Sequence, residues 1–551
     1  MGRAALIRLA MPDTPHRPPP RRPRAVRLHR RKAVRRVLAA TAPICVVAAL
    51  LLLPPLGSAD RFGWLHFGHH SADGRPRLPS DPPVASWPVA SLRLTGAPPV
   101  PVPASFLGLS TEYWSLPHYA NQRPLFTRAV DLLRRPGAPF TLRIGGESAD
   151  LSWWSPRPGP VPGWAYSLTP TWLTGLARLT AQAHLQLVLD LNMADRNPAR
   201  EAAFAKAVVD RLPPGTVQGL EIGNEPDLYP RMNTLGLFTA AHARVVRYFA
   251  WAQRYAPDRY VSQFDAYAAA LAHAGVHLPL GGPEISDPTQ TQWLAGLIAA
   301  ERGRLAAVTA HRYPLNACAA PSEPGYPTIP RLLADQATAG LAASVRPAVV
   351  IAHQAGVPFS LDEFNAVTCG GTPTVSGTFA NALWAPDALF SLMEVGVDSV
   401  DLHIRARAYN PPFFVTGHGL RTRPIFYGLI MFQRMLGRDS ELVPATLQTT
   451  TSGRLKAWVV QGDGTERVLL INKGNRGTNV RLPLAGGTIE RLLGAGPAAR
   501  TGVRLAGQSL TPGGRWRGRF TEQQVWSAGG GGEVTVPAYS AALVTLRLGR
   551  G

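Results

Sequence analysis

Short apolar runs of five to seven residues recur along the middle of the chain. Each is followed by a longer stretch in which apolar residues return every three or four positions. The runs are Phe106–Thr111, Thr141–Gly145, Leu185–Leu191, Val217–Ile222, His277–Gly281, Ala306–His311, Pro358–Glu363 and Val397–His403. A continuous apolar run of that length reads as a buried parallel strand, and a period near 3.6 as an amphipathic helix. Helices are predicted near 122–135, 170–184, 198–212, 238–256, 289–301, 330–354, 376–395 and 423–436. Strand and helix alternating eight times predict an α/β chain with a (β/α)8 barrel.

After about 440 the pattern changes. Leu455–Val460 and Val468–Asn472 alternate as strands around the turn-forming Gly462-Asp463-Gly464, and Val534–Val536 and Ala541–Leu548 follow. Ala495–Arg519 is rich in Gly and Arg and reads as loops. These features predict an all-β sandwich, to which the apolar positions of Trp87–Val102 add strands. The expected division is a basic leader over 1–59, a linker over 60–87, strands joining the sandwich over 88–104, the barrel over 105–438 and the sandwich over 439–551.

Composition changes this picture in two places. The 551 residues are 45% apolar and 8% aromatic, as in a globular protein, and carry a formal charge of +22. Twelve of the Arg and Lys lie in residues 1–36, and no nucleic-acid reader motif accompanies the charge, so a nucleic-acid partner is not expected. The basic segment precedes an uncharged, mostly apolar run over 37–57, the pattern of an export signal with small residues before Asp60 for cleavage. An uncleaved membrane anchor is the alternative, and Met11 is an alternative start. Either way the remainder is expected outside the cytoplasm, extracellular or on the outer face of the membrane. Beyond Cys45 only Cys318 and Cys369 remain; an oxidising compartment favours one disulfide between them over two buried thiols.

The candidate chemistry lies at two strand ends. Leu220 and Ile222 lead into Asn224-Glu225-Pro226, and Phe359 and Leu361 lead into Glu363. Carboxylates at the C-terminal ends of barrel strands four and seven stand at the face where barrel enzymes keep their chemistry. Two of them, one protonated and one ionised, are what glycosidic bond cleavage requires. Asp362 alternates to the other side of its strand and is expected to face the helices. His311 and His403 read as hydrogen-bonding wall residues; no third metal ligand is recognisable, and no metal or cofactor is expected. Trp153 and Trp154 either stack on a sugar or pack their loop. No phosphate-binding loop or Ser-His-Asp pattern stands out.

Here the chain resembles the retaining (β/α)8 glycoside hydrolases of clan A, and in finer features family 79, the β-glucuronidases and heparanases. The stretches that carry this are Phe106-Leu107-Gly108-Leu109-Ser110-Thr111-Glu112-Tyr113, Leu142-Arg143-Ile144-Gly145-Gly146-Glu147-Ser148, His311-Arg312-Tyr313-Pro314-Leu315, and Glu363 through Cys369-Gly370-Gly371 to Trp384. The resemblance spans about 105–437. It implies Glu225 as acid/base and Glu363 as nucleophile, with Asn224 on the sugar 2-hydroxyl. Arg143 would keep Glu363 ionised or pair with Glu221; Tyr313 would touch the nucleophile or sugar, or pack. Glu112 joins the substrate-binding candidates. In the family the loop after the nucleophile receives a sugar carboxylate; here that loop is Thr368, Cys369, Gly370 and Gly371, with Thr368 where some relatives present a tyrosine. Tyr409 either joins that pocket or is a surface tyrosine.

The resulting expectation is an exported retaining hydrolase that releases β-linked glucuronic acid, its partner a uronic-acid-containing carbohydrate. The alternatives are a neutral-sugar β-glycosidase, an endo-acting glycosaminoglycan hydrolase, and an inactive cell-surface glycan-binding protein.

Overall fold

A computed structural model of the chain describes residues 84–157, 159, 161–231, 248–449, 454–483, 486–528 and 531–547. The expected leader, its cleavage site, linker residues 60–83 and helix positions 238–247 lie outside the described residues. No described helix is long and apolar enough to cross a membrane.

Eight parallel strands close into a barrel: β1 (Leu107–Glu112), β2 (Phe140–Gly145), β3 (Leu185–Leu191), β4 (Val217–Ile222), β5 (Leu280–Ile285), β6 (Leu305–Arg312), β7 (Phe359–Phe364) and β8 (Ser399–Ile404). Neighbours in sequence are neighbours in the barrel, and β8 returns to β1 with Val400 opposite Leu107. Among the described residues, the longer helices around it are α1 (Arg123–Leu133), α2 (Pro170–Ala183), α3 (Pro198–Arg211), α4 (Pro257–His273), α5 (Thr291–Ala300), α6 (Ala339–Gln354), α7 (Phe379–Glu394) and α8 (Pro424–Met435). Five of them carry proline in the first turn, where its missing N–H costs nothing and its fixed φ starts the helix.

Three elements depart from the sequence expectation. Of the helix expected over 238–256, the described end holds a short 3-10 turn at Phe249–Ala252, and α4 at Pro257–His273 was not expected. Its buried stripe, Tyr260, Phe264, Tyr267 and Leu271, recurs at spacings of four, three and four, the period of an amphipathic helix. Strand β5 continues four residues beyond Gly281, through Gly-Gly-Pro. That sequence reads as a turn, but a Cβ at 282 would overlap the Tyr260 hydroxyl of α4, so the barrel wall uses glycine for close approach. The stretch 330–354 is broken into a single turn at Ile329–Leu332, a 3-10 turn at Asp335–Ala337 and α6.

The C-terminal β region is two packed sheets. One runs Ala445–Thr449, Val89–Leu94, Thr478–Leu482, Gly531–Val536 and Trp526–Ala528. The other is centred on the hairpin Leu455–Gly462/Thr465–Asn472 and the strand Ser540–Arg547. Inward-facing Ala90, Leu92, Val459, Val468, Leu470, Val480, Val534 and Val544 form its core. The strands Val89–Leu94 and Val100–Pro101, from before the barrel, enter one sheet each. Between Ala495 and Arg519 only two-residue strands occur among irregular chain.

Candidate active site

The strand ends of β4 and β7 present Glu225 and Glu363 at the mouth of the barrel. After Ile222 the chain turns through Gly223 and Asn224, and Glu225 itself is left-handed, at φ 46°. Such a conformation costs about 1–3 kcal/mol in a non-glycine residue and persists only where neighbours fix it. Here the Glu225 N–H donates to the Glu284 carbonyl at 3.1 Å. Pro226 opens a 3-10 turn, and Asp227 accepts from the Ser286 N–H at 2.9 Å and the Gln290 amide at 2.9 Å. The loops leaving β4 and β5 are thereby tied together. A carboxylate oxygen of Glu225, a nitrogen of His311 and a carboxylate oxygen of Glu363 all lie within 4.8 Å of one another. The Glu225 and Glu363 side chains keep 27% and 14% of their surface open to solvent.

Glu363 is held by three groups. Tyr313 donates its hydroxyl to Oε1 at 2.7 Å, Arg143 Nη1 approaches Oε2 at 3.3 Å, and His403 Nδ1 lies 3.5 Å from Oε2. Burial alone would raise the Glu363 pKa, but the fields of His403, His311 and Arg143 and the Tyr313 bond outweigh it and bring it down to about 2. Glu225 has a different partner: His311 Nδ1 meets its Oε1 at 3.0 Å. Burial works against the charge on His311, yet the carboxylates of Glu363, Asp362 and Glu225 drive its pKa well up, so it stands as an imidazolium.

Arg143 has no exposed surface and lies at the centre of five carboxyl groups. It touches Asp190 (3.5 Å), Glu221 (3.3 Å), Glu284, Asp362 (3.7 Å) and Glu363. Both expected roles of Arg143, on Glu363 and on Glu221, are thus present together. One guanidinium and one imidazolium do not balance five carboxylates. Burial pushes Asp190 and Glu284 well above the usual carboxylate range and Glu221 up to about 7. These three deeper groups therefore hold their protons more tightly than Glu363, which stays ionised. Arg143 also donates to Asn224 Oδ1 at 3.4 Å. Because a guanidinium only donates, it turns the amide oxygen inward and the Asn224 NH2 group away.

Asp362 corrects the sequence expectation. It does not face the helices: its carboxylate is buried inside the barrel, 3.6 Å from His311 Nε2. The β6–β7 register is irregular between Thr309 and His311, and the β7–β8 register between Leu361 and Phe364. A bulge there breaks the strict alternation and sends Asp362 and Glu363 to the same side.

Glu112 is buried behind His403. It accepts from the Ser148 N–H at 2.8 Å and lies 3.7 Å from His403 Nε2; burial opposes its charge, but these contacts and Arg405 lower its pKa. Thr368 lies in a two-residue strand paired with Leu315–Asn316, the segment that follows Tyr313. Cys369, Gly370 and Gly371 are all left-handed, at φ 57°, 76° and 79°. A Cβ on Gly371 would overlap the Asn410 amide and the Ser376 hydroxyl, so only glycine fits. The Gly370 carbonyl accepts from the Tyr409 N–H at 2.7 Å, which sets Tyr409 beside this loop, its ring exposed and under the Arg423 guanidinium. Cys318 and Cys369 form a disulfide that joins the loops after β6 and β7. Trp153 packs on Trp164 and Tyr248, and Trp154 on Phe204 of α3, so both serve their own loop.

Two charged residues at the mouth, Arg405 and Glu147, had no role assigned from the sequence. Arg405 Nη1 is 3.2 Å from Glu147 Oε2, and the guanidinium lies over the Trp114 ring. Burial, with Glu112 and Glu225 nearby, raises the Glu147 pKa to about 7 against the pull of Arg405. Each lies just past a barrel strand end, the position that singled out Glu225.

Among the described residues two groups have metal-ligand spacing, Glu225/His311/Glu363 and Glu284/His311/Asp362. They share His311, and Arg143 already touches Glu284, Asp362 and Glu363. A further cation would stand against two existing ones, so the groups read as an ion-paired network.

The deciding comparison is of folds. The chain superposes on a 4-O-α-L-rhamnosyl-β-D-glucuronidase from Fusarium oxysporum 12S with a TM-score of 0.66 at 20% identity, over 83% of this chain and 100% of that one. The fold is that of known (β/α)8 glycosidases. A family 51 arabinofuranosidase from Xanthomonas axonopodis pv. citri gives 0.60 at 15% identity over 84% and 100% of the two chains. The α-L-arabinofuranosidase from Thermotoga maritima gives 0.56 at 14% over the same shares. No protein-family model matches the chain, and no curated protein matches it in sequence.

Proposed function

We propose that this glycosidase-fold protein is an exported retaining glycoside hydrolase of the family 79 type that releases β-linked glucuronic acid. The observation that carries the chemistry is the pair Glu225/Glu363 with carboxylate oxygens within 4.8 Å. Retaining enzymes hold their two carboxyl groups about 5–5.5 Å apart, whereas inverting enzymes leave about 6.5–9.5 Å for a water. The second support is the division of environments. Glu363 is kept ionised by Arg143, His403 and Tyr313, as a nucleophile must be.

In the first step Glu363 attacks the anomeric carbon and forms a glycosyl ester, while Glu225 protonates the departing oxygen. His311 holds one Glu225 oxygen and leaves the other for the leaving group. In the second step Glu225 takes a proton from water, and the water oxygen displaces Glu363. The Asn224 NH2 group, turned outward by Arg143, donates to the sugar 2-hydroxyl. The left-handed N–H groups of Cys369 and Gly370, with Thr368, receive the sugar carboxylate as an anion nest. Export is supported by the basic and apolar N-terminal segments and by the Cys318–Cys369 bridge.

One observation favours a neutral sugar instead. Arg405, a cation at the mouth, is already paired with Glu147. Purified protein assayed on matched chromogenic β-glucuronide, β-glucoside, β-xyloside and α-L-arabinofuranoside, with Glu363→Ala as control, decides between the readings. Turnover of the glucuronide, lost in the variant, is expected. Preference for a neutral sugar would remove the carboxylate site and keep the two glutamates. Binding without turnover of any glycoside or polymer would leave a glycan-binding protein.

A further inference from the structure

Lined by none of the candidate active-site residues, a cleft of about 620 Å³ opens between the short helix Ile329–Leu332 and the β-sandwich. Its floor is apolar, with Ile329, Pro330 and Leu333. Its opposite wall is polar and basic: Arg454, Lys473, Asn475, Arg476, Thr478 and Tyr539. The volume suits a few sugar rings or another ligand of similar size.

The charges divide cleanly. Lys473 is fully buried and its ammonium is bound to Asp387 at 2.7 Å, with Asp335 at 3.6 Å. Lys456 pairs with the same Asp335 at 2.9 Å. These lysines and aspartates balance one another. Arg454 and Arg476 are exposed, and neither has an acidic partner among the described residues. Their positive charge is therefore uncompensated and faces the cleft. The surrounding module amplifies it, since residues 439–551 carry fourteen Arg and Lys against seven Asp and Glu.

The wall is also shaped rather than incidental. Asn472 donates to the Arg476 carbonyl at 2.8 Å and accepts from the Gly474 N–H at 2.9 Å, which folds the 472–476 turn. The Tyr539 N–H donates to the Gly474 carbonyl at 3.0 Å, and the Lys473 N–H to the Arg454 carbonyl at 2.8 Å. Two guanidiniums, an amide and hydroxyls over an apolar floor are the chemistry that receives a sugar bearing an anionic group. The cleft also shares a connection with the mouth: the loop that leaves β6 at Tyr313 ends in Ile329–Leu333.

We propose that this cleft is a second binding site, separate from the two glutamates, for an anionic oligosaccharide held through carboxylate or sulfate groups by Arg454 and Arg476. The choice of a sugar as the ligand rests on the glycosidase reading; the anionic character does not.

The test is a calorimetric titration of the full chain with an α-linked galacturonate tetramer, which a β-glucuronidase does not cut. Its methyl-esterified, neutral counterpart and a sulfated tetrasaccharide are run in parallel. The anionic tetramers are expected to bind and the neutral one not, and comparison of the two anionic ones tells carboxylate from sulfate. Arg454→Gln combined with Arg476→Gln is expected to weaken binding about tenfold or more, since two charge-assisted contacts are lost. The double Arg→Lys variant should recover part of that loss, and added salt should weaken the wild type. Turnover of small chromogenic glycosides is expected to be unchanged in the double Gln variant. Equal affinity of wild type and double Gln variant, or equal binding of the neutral tetramer, would overturn the proposal. No step of this titration depends on turnover, so an inert barrel and an empty cleft give different results.

Discussion

Tyr313→Phe isolates one of the groups that keep Glu363 ionised. The substitution removes a single oxygen, whose hydroxyl lies 2.7 Å from Glu363 Oε1. The ring remains, so packing is retained. A hydrogen bond to a charged acceptor contributes about 1.5–3 kcal/mol. At 1.36 kcal/mol for each tenfold change in protonation, its loss raises the Glu363 pKa by about one to two. From about 2 it would move to about 3–4. The sign follows from the bond: Tyr313 stabilises only the ionised form, so without it the proton is retained to higher pH. The assay is the pH dependence of kcat/KM on the best aryl glycoside, from pH 2.5 upward on the approximate scale set by that shift. The acid limb of the profile should rise by about one to two pH values in Tyr313→Phe. An acid limb at the same pH as the wild type, with only KM raised, would show that Tyr313 acts on the sugar alone and would refute this account of the Glu363 environment.

Other outcomes are equally concrete. Glu225→Ala should lower turnover of a glycoside with a poor leaving group by about 10²–10⁴-fold and spare the first step on an activated aryl leaving group, as measured by pre-steady-state release. Glu201 is buried and accepts the Asn192 N–H at 3.1 Å; burial raises its pKa from the usual carboxylate range to about 8. A raised carboxyl favours the fold fully below its unfolded pKa near 4.5 and loses that contribution as pH rises to 8. Glu201→Gln keeps the acceptor and removes the ionisation. It should therefore stabilise the protein by up to about 4 kcal/mol at pH 8 and by little at pH 5, read from denaturant midpoints at both pH values. Cys318 and Cys369 close a loop with a sequence separation of 51, for which chain entropy gives a stabilisation of at most about 4 kcal/mol. Cys318→Ser with Cys369→Ser should lower the thermal midpoint by several degrees, and a reductant should do the same to the wild type.

The barrel was legible because its strands are buried on both faces and so read as unbroken apolar runs; seven of eight were placed within about three residues at each end. The eighth, β5, hid behind Gly281-Gly282-Pro283, because its glycine answers to Tyr260 on another element. In the site, Glu225 and Glu363 were visible as strand-end carboxylates and Arg143 and Tyr313 through the family resemblance, and the structure places Arg143 and Tyr313 on Glu363. Asp362 was misplaced because a bulge is set by the register with β6 and β8, which no local pattern records. The proton-holding depth of the barrel, Asp190, Glu221 and Glu284 around one arginine, exists only once four strands have closed on a common axis.

The strand Val89–Leu94 lies between Ala445–Thr449 and Thr478–Leu482, partners some 350 positions later, as Leu94 opposite Ala445 illustrates. This fixes an order of assembly. While the chain is being made, the barrel sequence emerges before either neighbour of that strand exists, so its edges stay unpaired through the synthesis of the whole enzyme-like portion. Contacts of such sequence separation form slowly, since the loop they close must be ordered first. The β-sandwich is thus a clasp that fastens last and holds both flanks of the barrel at once. A fragment ending after α8 would be a barrel with an open, pairing-competent strand at its start, and its first failure would be association through that edge rather than loss of the eight-stranded wall.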